Sequence, residues 1–154
     1  MTDRTKQTKT HEWLGTTYRT ILTPEASGGA MSIVDSVSPP GSGPPRHVHH
    51  AEDEVFVQLS GEIEWWMRAA DGTERTGTVG PGQTLFIPRG REHTFRALGD
   101  QPARHLVILT PGGFEGFFAA MAEARCRIPE DMDRVVADGR RFNMDFTGPP
   151  LGTA

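Results

Sequence analysis

The feature that most constrains this chain is its punctuation. Between Met31 and Leu109, short runs alternating apolar and polar residues are interrupted at close intervals by Ser60-Gly61, Asp71-Gly72, Gly80-Pro81-Gly82 and Arg89-Gly90. Runs this short, with a two-residue period, suit strands that bury one face. Strands are predicted at Met31 to Val37, Arg46 to His50, Glu54 to Leu59, Glu62 to Arg68, Glu74 to Val79, Thr84 to Ile87, Thr94 to Leu98 and His105 to Leu109. The segment SPPGSGPP at 38–45 holds only Ser, Pro and Gly and reads as a stiff loop feeding the next strand. Many short strands at this spacing predict an all-β sandwich or barrel. The 18 glycines and 12 prolines suit a chain with that many tight turns.

Beyond Pro111-Gly112-Gly113 the period changes. Phe114, Phe117, Phe118, Met121, Ala122 and Arg125 recur at helical spacing. A second helix is expected from Pro129, suited to a first helical position, to Asp138, with Gly139 ending it. This helical segment, 114–138, is expected to cover an open barrel end or a subunit contact. Residues 1–10 are polar and aperiodic and read as a flexible tail; 11–154 read as one domain.

Charge and composition exclude several classes. The net charge of −4 is mixed along the chain with no basic stripe, so nucleic acid is not an expected partner. No apolar run approaches a membrane span. The N-terminus lacks a hydrophobic signal region, and Cys126, the single cysteine, leaves no internal disulfide. Both fit a reducing cytoplasm. Arg125 and Arg127 flank Cys126 and would lower its pKa, but it reads as an ordinary helix residue.

The chemistry concentrates in PPRHVHHAEDEVFVQLSG, residues 44–61. His47 and His49 sit two apart on a predicted strand, so both imidazoles share a face and can meet one ion. Glu54 lies five residues beyond His49, an odd spacing that an unbroken strand would put on the opposite face. A turn or bulge at Ala51-Glu52-Asp53 is therefore required, with Glu52 and Asp53 as solvated turn residues. His93 follows the Pro88-Arg89-Gly90 turn and completes a candidate set of His47, His49, Glu54 and His93. Three imidazoles and a carboxylate suit one divalent transition metal ion: Fe, Mn, Ni, Co, Cu or Zn. Four protein ligands leave about two positions open on a six-coordinate ion, as in a working site rather than a closed structural one.

These residues resemble the cupin superfamily. Gly41, His47, His49, Glu54 and Gly61 match its first motif, and Gly82, Pro88, Gly90 and His93 its second. Ala97 stands where the second motif usually has Asn, which is not a metal ligand in the family. The motifs span 41–61 and 82–97 and the resemblance covers roughly residues 30–112. The flanks, including Phe146 to Leu151, are similar to small single-domain bacterial cupins of the quercetin dioxygenase-like type. The resemblance implies a jelly-roll barrel (a double-stranded β-helix) with the four ligands pointing into the lumen, and a homodimer.

Strand parity suggests the lumen lining: Phe56 and Gln58 follow Glu54, Trp65 and Met67 share a face with Ile63, and Phe95 and Ala97 follow His93. Those side chains either wall a small-molecule pocket or fill a small barrel. His50 is out of phase with the ligands, Trp66 is expected between sheets or at a dimer contact, and His105 is assigned a packing or surface role. Three functions follow. One is a dioxygenase-like enzyme acting on a small aromatic or enolisable oxygenated compound, with Glu54 also serving as base by analogy. Another is a non-oxidative metal-dependent isomerase or lyase, which ranks lower because parity puts no Lys, His or Tyr beside the ligands. The third is a non-catalytic binding module.

Overall fold

The computed structural model describes residues 9–152. Among these residues eleven strands form two antiparallel sheets packed face to face. The six-stranded sheet has the order β1 (Thr10–Trp13), β2 (Thr16–Leu22), β3 (Ser32–Ser38), β10 (Ala103–Thr110), β5 (Asp53–Ser60), β8 (Thr84–Ile87). The five-stranded sheet runs β11 (Met144–Pro150), β4 (Pro45–His49), β9 (His93–Leu98), β6 (Glu62–Arg68), β7 (Glu74–Val79). This is the mostly β cupin fold, with two helices at its C-terminal end, α1 (Glu115–Ala124) and α2 (Met132–Arg141). Among the described residues no helix is long and apolar enough to cross a membrane.

Alternation decides which side chains enter the core. On β3, β5, β6, β8, β9 and β10 the inward positions are Val34, Phe56, Ile63, Leu85, Ile87, Ala97, Val107 and Leu109, all buried. The outward Trp66 is neither between the sheets nor bare: the Arg46 guanidinium lies 3.9 Å over its ring, with Arg68 at 5.4 Å. Such stacking covers an outer aromatic without an apolar neighbour.

The His49–Glu54 spacing resolves as a corner between sheets. β4 ends at His49 and β5 begins at Asp53 in the other sheet, so the two strands face each other across the lumen. The corner differs from expectation in one respect. Glu52 is buried at 6 % exposure, whereas Asp53 holds the Arg89 side chain and accepts from the Arg89 backbone N–H at 2.9 Å.

Other elements were not expected. Residues 1–8 of the predicted tail lie outside the described residues, but Thr10 already pairs with Arg19 in the β1–β2 hairpin. That hairpin turns on Leu14-Gly15, both at positive φ (52° and 84°), the geometry that matches strand twist in a two-residue turn. β11 ends in prolines and is tolerated because it is an edge strand. Helix α2 starts three residues after Pro129 and runs through Gly139 instead of stopping there. The reason is packing: a Cβ on Gly139 would lie 3.1 Å from the Met144 methyl and 3.4 Å from the Phe146 ring. Cys126 lies just past α1, buried, and burial pushes its thiol up against the attraction of Arg134.

Helix α1 closes the barrel end through Phe117 and Met121. Phe117 meets Trp13 edge to face, with centroids 5.6 Å apart. The Trp13 indole N–H donates to the Cys126 carbonyl at 2.8 Å, pinning the helix connection to the hairpin.

Candidate metal centre

His47 and His49 project inward from β4, and His93 starts β9, its Cα paired with that of His47. The Pro88-Arg89-Gly90 turn is tied to the same strand, since the Gly90 N–H donates to the His49 carbonyl at 2.8 Å. One ring nitrogen from each histidine forms a group whose members all lie within 4.8 Å of one another, and all three side chains are buried. Glu54 enters from β5 and brings Oε2 to 3.0 Å from His49 Nε2.

The hydrogen bonds orient these rings for a cation. A carbonyl can only accept, so the 2.8 Å contact from His47 Nδ1 to the Pro45 oxygen fixes the proton on Nδ1. His93 Nδ1 donates likewise to the Arg91 carbonyl at 3.0 Å. Their Nε2 lone pairs are left for an ion, and His93 Nε2 is buried with no partner among the described residues. Burial pushes all three histidines down to about 3, so each is neutral, as a ligand must be. Burial holds the Glu54 carboxyl above its usual range. An orphaned nitrogen, neutral imidazoles and one adjacent carboxylate fit a divalent transition metal. The Phe114 ring stands edge-on to His49 at 4.3 Å and keeps it in place.

Sequence reasoning missed Glu52, whose Oε2 lies 3.7 Å from the otherwise unpartnered His49 Nδ1. Burial and the neighbouring Glu54 push its carboxyl up to about 7. Nothing in its sequence position signals this, because its burial depends on the corner between sheets. His50 points outward to Asp145 at 3.0 Å, as phase predicts.

The site opens on a cavity of about 200 Å³ lined by His47, His49 and Glu54, with Trp13, Tyr18, Phe95, Phe114 and Phe118 as aromatic walls. Tyr18 and Phe118 stack at 4.0 Å. Of the six side chains expected to face the lumen, Phe95 walls this cavity, and the others follow the barrel-filling alternative. Phe56, Ala97, Trp65 and Met67 pack into or against the core behind the lining. Gln58 turns its amide N–H to the Ser60 carbonyl at 2.9 Å. The cavity lies under α1 and the β1–β2 hairpin, which parity on the central strands could not reveal.

His105 is packed, the first of its two expected roles, but its place beside the cavity was not expected. It is 1 % exposed and lines the same cavity, stacked on Phe56 at 4.6 Å. Its signal was present: in ARHLVILT, Ala103, Val107 and Leu109 share its parity and are buried. Burial pushes it down to about 4 against the attraction of Asp35. His105 and Tyr18 thus put two ionisable non-ligand groups in the cavity.

Residues 35–109 match the Cupin_2 family model, described as a cupin domain. A curated relative, polyketide synthase CurC of Streptomyces cyaneus, is 30% identical over 98 residues, covering 63% of this chain and 60% of that protein. The chain thus spans less than two thirds of that relative. A structure of Bacillus subtilis oxalate decarboxylase, described for its Mn(II) centres, superposes with TM-score 0.64 at 18% identity, covering 93% of this chain and 41% of the other. KdgF from Halomonas sp. gives TM-score 0.58 at 15% identity, covering 73% and 95%. At these identities the structural likeness is one of fold.

Proposed function

On the premise that residues 35–109 are a cupin domain in a chain of cupin fold, we propose that this protein is a metal-dependent oxygenase. In this reading one divalent transition metal sits on His47, His49, Glu54 and His93. The substrate is a small aromatic or enolisable oxygenated compound. The observation that carries it is the opening of the ligand cluster onto an aromatic-walled cavity. The Mn(II) centres of oxalate decarboxylase support manganese as one candidate. The match to a protein named polyketide synthase points to the same substrate chemistry, because polyketide carbonyls enolise and chelate.

When bound, the ion supplies Lewis acidity toward a substrate oxygen. The chain's own residues do the rest. His47 and His93 are held in one tautomer by the Pro45 and Arg91 carbonyls. Glu54, the carboxylate beside the histidines, can accept the proton leaving a substrate hydroxyl. Phe95, Phe114 and Phe118 hold a flat ring and exclude water.

The test is oxygen uptake by metal-loaded protein offered a flavonol, a catechol and a β-diketone. Uptake that is lost on Glu54→Gln is expected. Fully loaded protein that consumes no oxygen and forms no product with any of them defeats the reading. A non-oxidative isomerase or lyase is the second reading, favoured by His105 and Tyr18 in the cavity; turnover without oxygen would mark it.

The proposal includes a cytoplasmic homodimer. The strand register aligns Ile33, Ile108, Val55 and Phe86 across the outside of the six-stranded sheet, and Phe86 is 57 % exposed. Phe86→Glu should yield monomers in sedimentation; a wild-type monomer would remove the dimer.

A further inference from the structure

The register of the six-stranded sheet orders its inward residues along the strand direction. Glu54 pairs with Leu109, Phe56 with Val107 and Gln58 with His105. The Glu54 and Gln58 rows are four residues apart, about 13 Å of strand. The cavity is therefore lined by ligand-cluster residues at one pole and by His105 at the other, with apolar Val107 and Phe95 between them. The His105 ring is clamped by Phe56 at 4.6 Å and Phe95 at 5.3 Å, and its Nδ1 is buried with no partner among the described residues. A buried ring nitrogen left unpaired is costly. The ring itself borders the cavity, and an imidazole held this rigidly at a cavity wall is suited to a ligand oxygen.

We infer that His105 hydrogen-bonds an oxygen at the end of the ligand remote from the metal cluster, which makes the ligand a flat aromatic compound of one or two rings with oxygen at both ends. The remote oxygen is a hydroxyl or carbonyl: a neutral imidazole offers one N–H and one lone pair and does not attract a carboxylate by charge. The ring count follows from size, since an apolar cavity of about 150 Å³ accepts benzene and this one measures about 200 Å³. The near end rests on the chelating role proposed above for the metal.

The test uses cobalt-loaded protein and two probes: a naphthalene with a vicinal diol, and the same diol with one further hydroxyl on the far ring. Affinities come from calorimetry, and chelation is read from the cobalt absorption band. The wild type should bind the triol about tenfold more tightly than the diol. His105→Phe, which keeps the ring stack, should bring that ratio below about twofold while leaving diol affinity and metal content unchanged. His105→Gln should restore part of the preference. A preference that persists in His105→Phe, or is absent in the wild type, overturns the assignment. A band shift without discrimination removes His105 and leaves chelation. Discrimination without a band shift removes chelation and leaves His105. Binding of neither probe overturns both.

Discussion

His105→Phe also makes a stability prediction that does not depend on any ligand. The imidazole is 1 % exposed, and burial lowers its pKa from 6.5 to about 4. Its folded-state value lies below its unfolded one, so between those two values only the unfolded chain binds the proton. Stability is then unaffected above pH 6.5 and falls as the pH drops through that window. At pH 5 the linkage costs the wild type about 2 kcal/mol relative to neutral pH. Phenylalanine has no such proton. The stability of His105→Phe relative to wild type should therefore rise by about 2 kcal/mol between pH 7.5 and pH 5, or about 4–8 °C in Tm for a domain of this size. Urea unfolding at both pH values, on protein stripped with chelator so that the other buried histidines act alike in both, measures it. A difference that stays constant within about 0.5 kcal/mol would refute a buried, neutral His105.

Glu52→Ala should weaken metal binding about 10- to 100-fold in competition with a chromophoric chelator, because it removes the buried carboxylate beside His49 Nδ1; unchanged affinity would deny Glu52 a positioning role. Gly43→Ala would put a Cβ 1.8 Å from the Phe95 carbonyl oxygen, and urea unfolding should show a loss of about 1–3 kcal/mol. Trp13→Phe leaves the Cys126 carbonyl without its donor, costing about 1–3 kcal/mol. Hydrogen exchange should rise in β1 and at the end of α1, and exchange spread evenly over the protein would argue against a local tie.

The strands from β3 to β10 were legible because each has one buried face and a sharp turn, so period and punctuation agree. The clustering of His47, His49 and His93 was legible for the same reason: two share a strand face and the third follows a tight turn into a strand. The hairpin β1–β2 was not, because Leu14-Gly15 lacks the usual Asn-Gly signal and Thr-rich strands alternate weakly. β11 was hidden by its prolines, which only an edge position excuses. Gly139 misled because its small size serves close approach to Met144 rather than helix termination. Glu52 and the cavity lining depend on how two sheets and a helix meet, which no local pattern encodes. His105 was legible by parity in its own strand, but its distance from the motifs in sequence concealed their shared cavity.

The central claim is tested most directly by anomalous diffraction from crystals of protein prepared without chelator, with data on both sides of the metal's absorption edge. The account predicts one peak per chain, bonded to His47, His49 and His93 at about 2.0–2.2 Å with the Glu54 carboxylate alongside. It predicts that His49→Ala removes this peak. A peak elsewhere, or full occupancy in His49→Ala, would contradict the account.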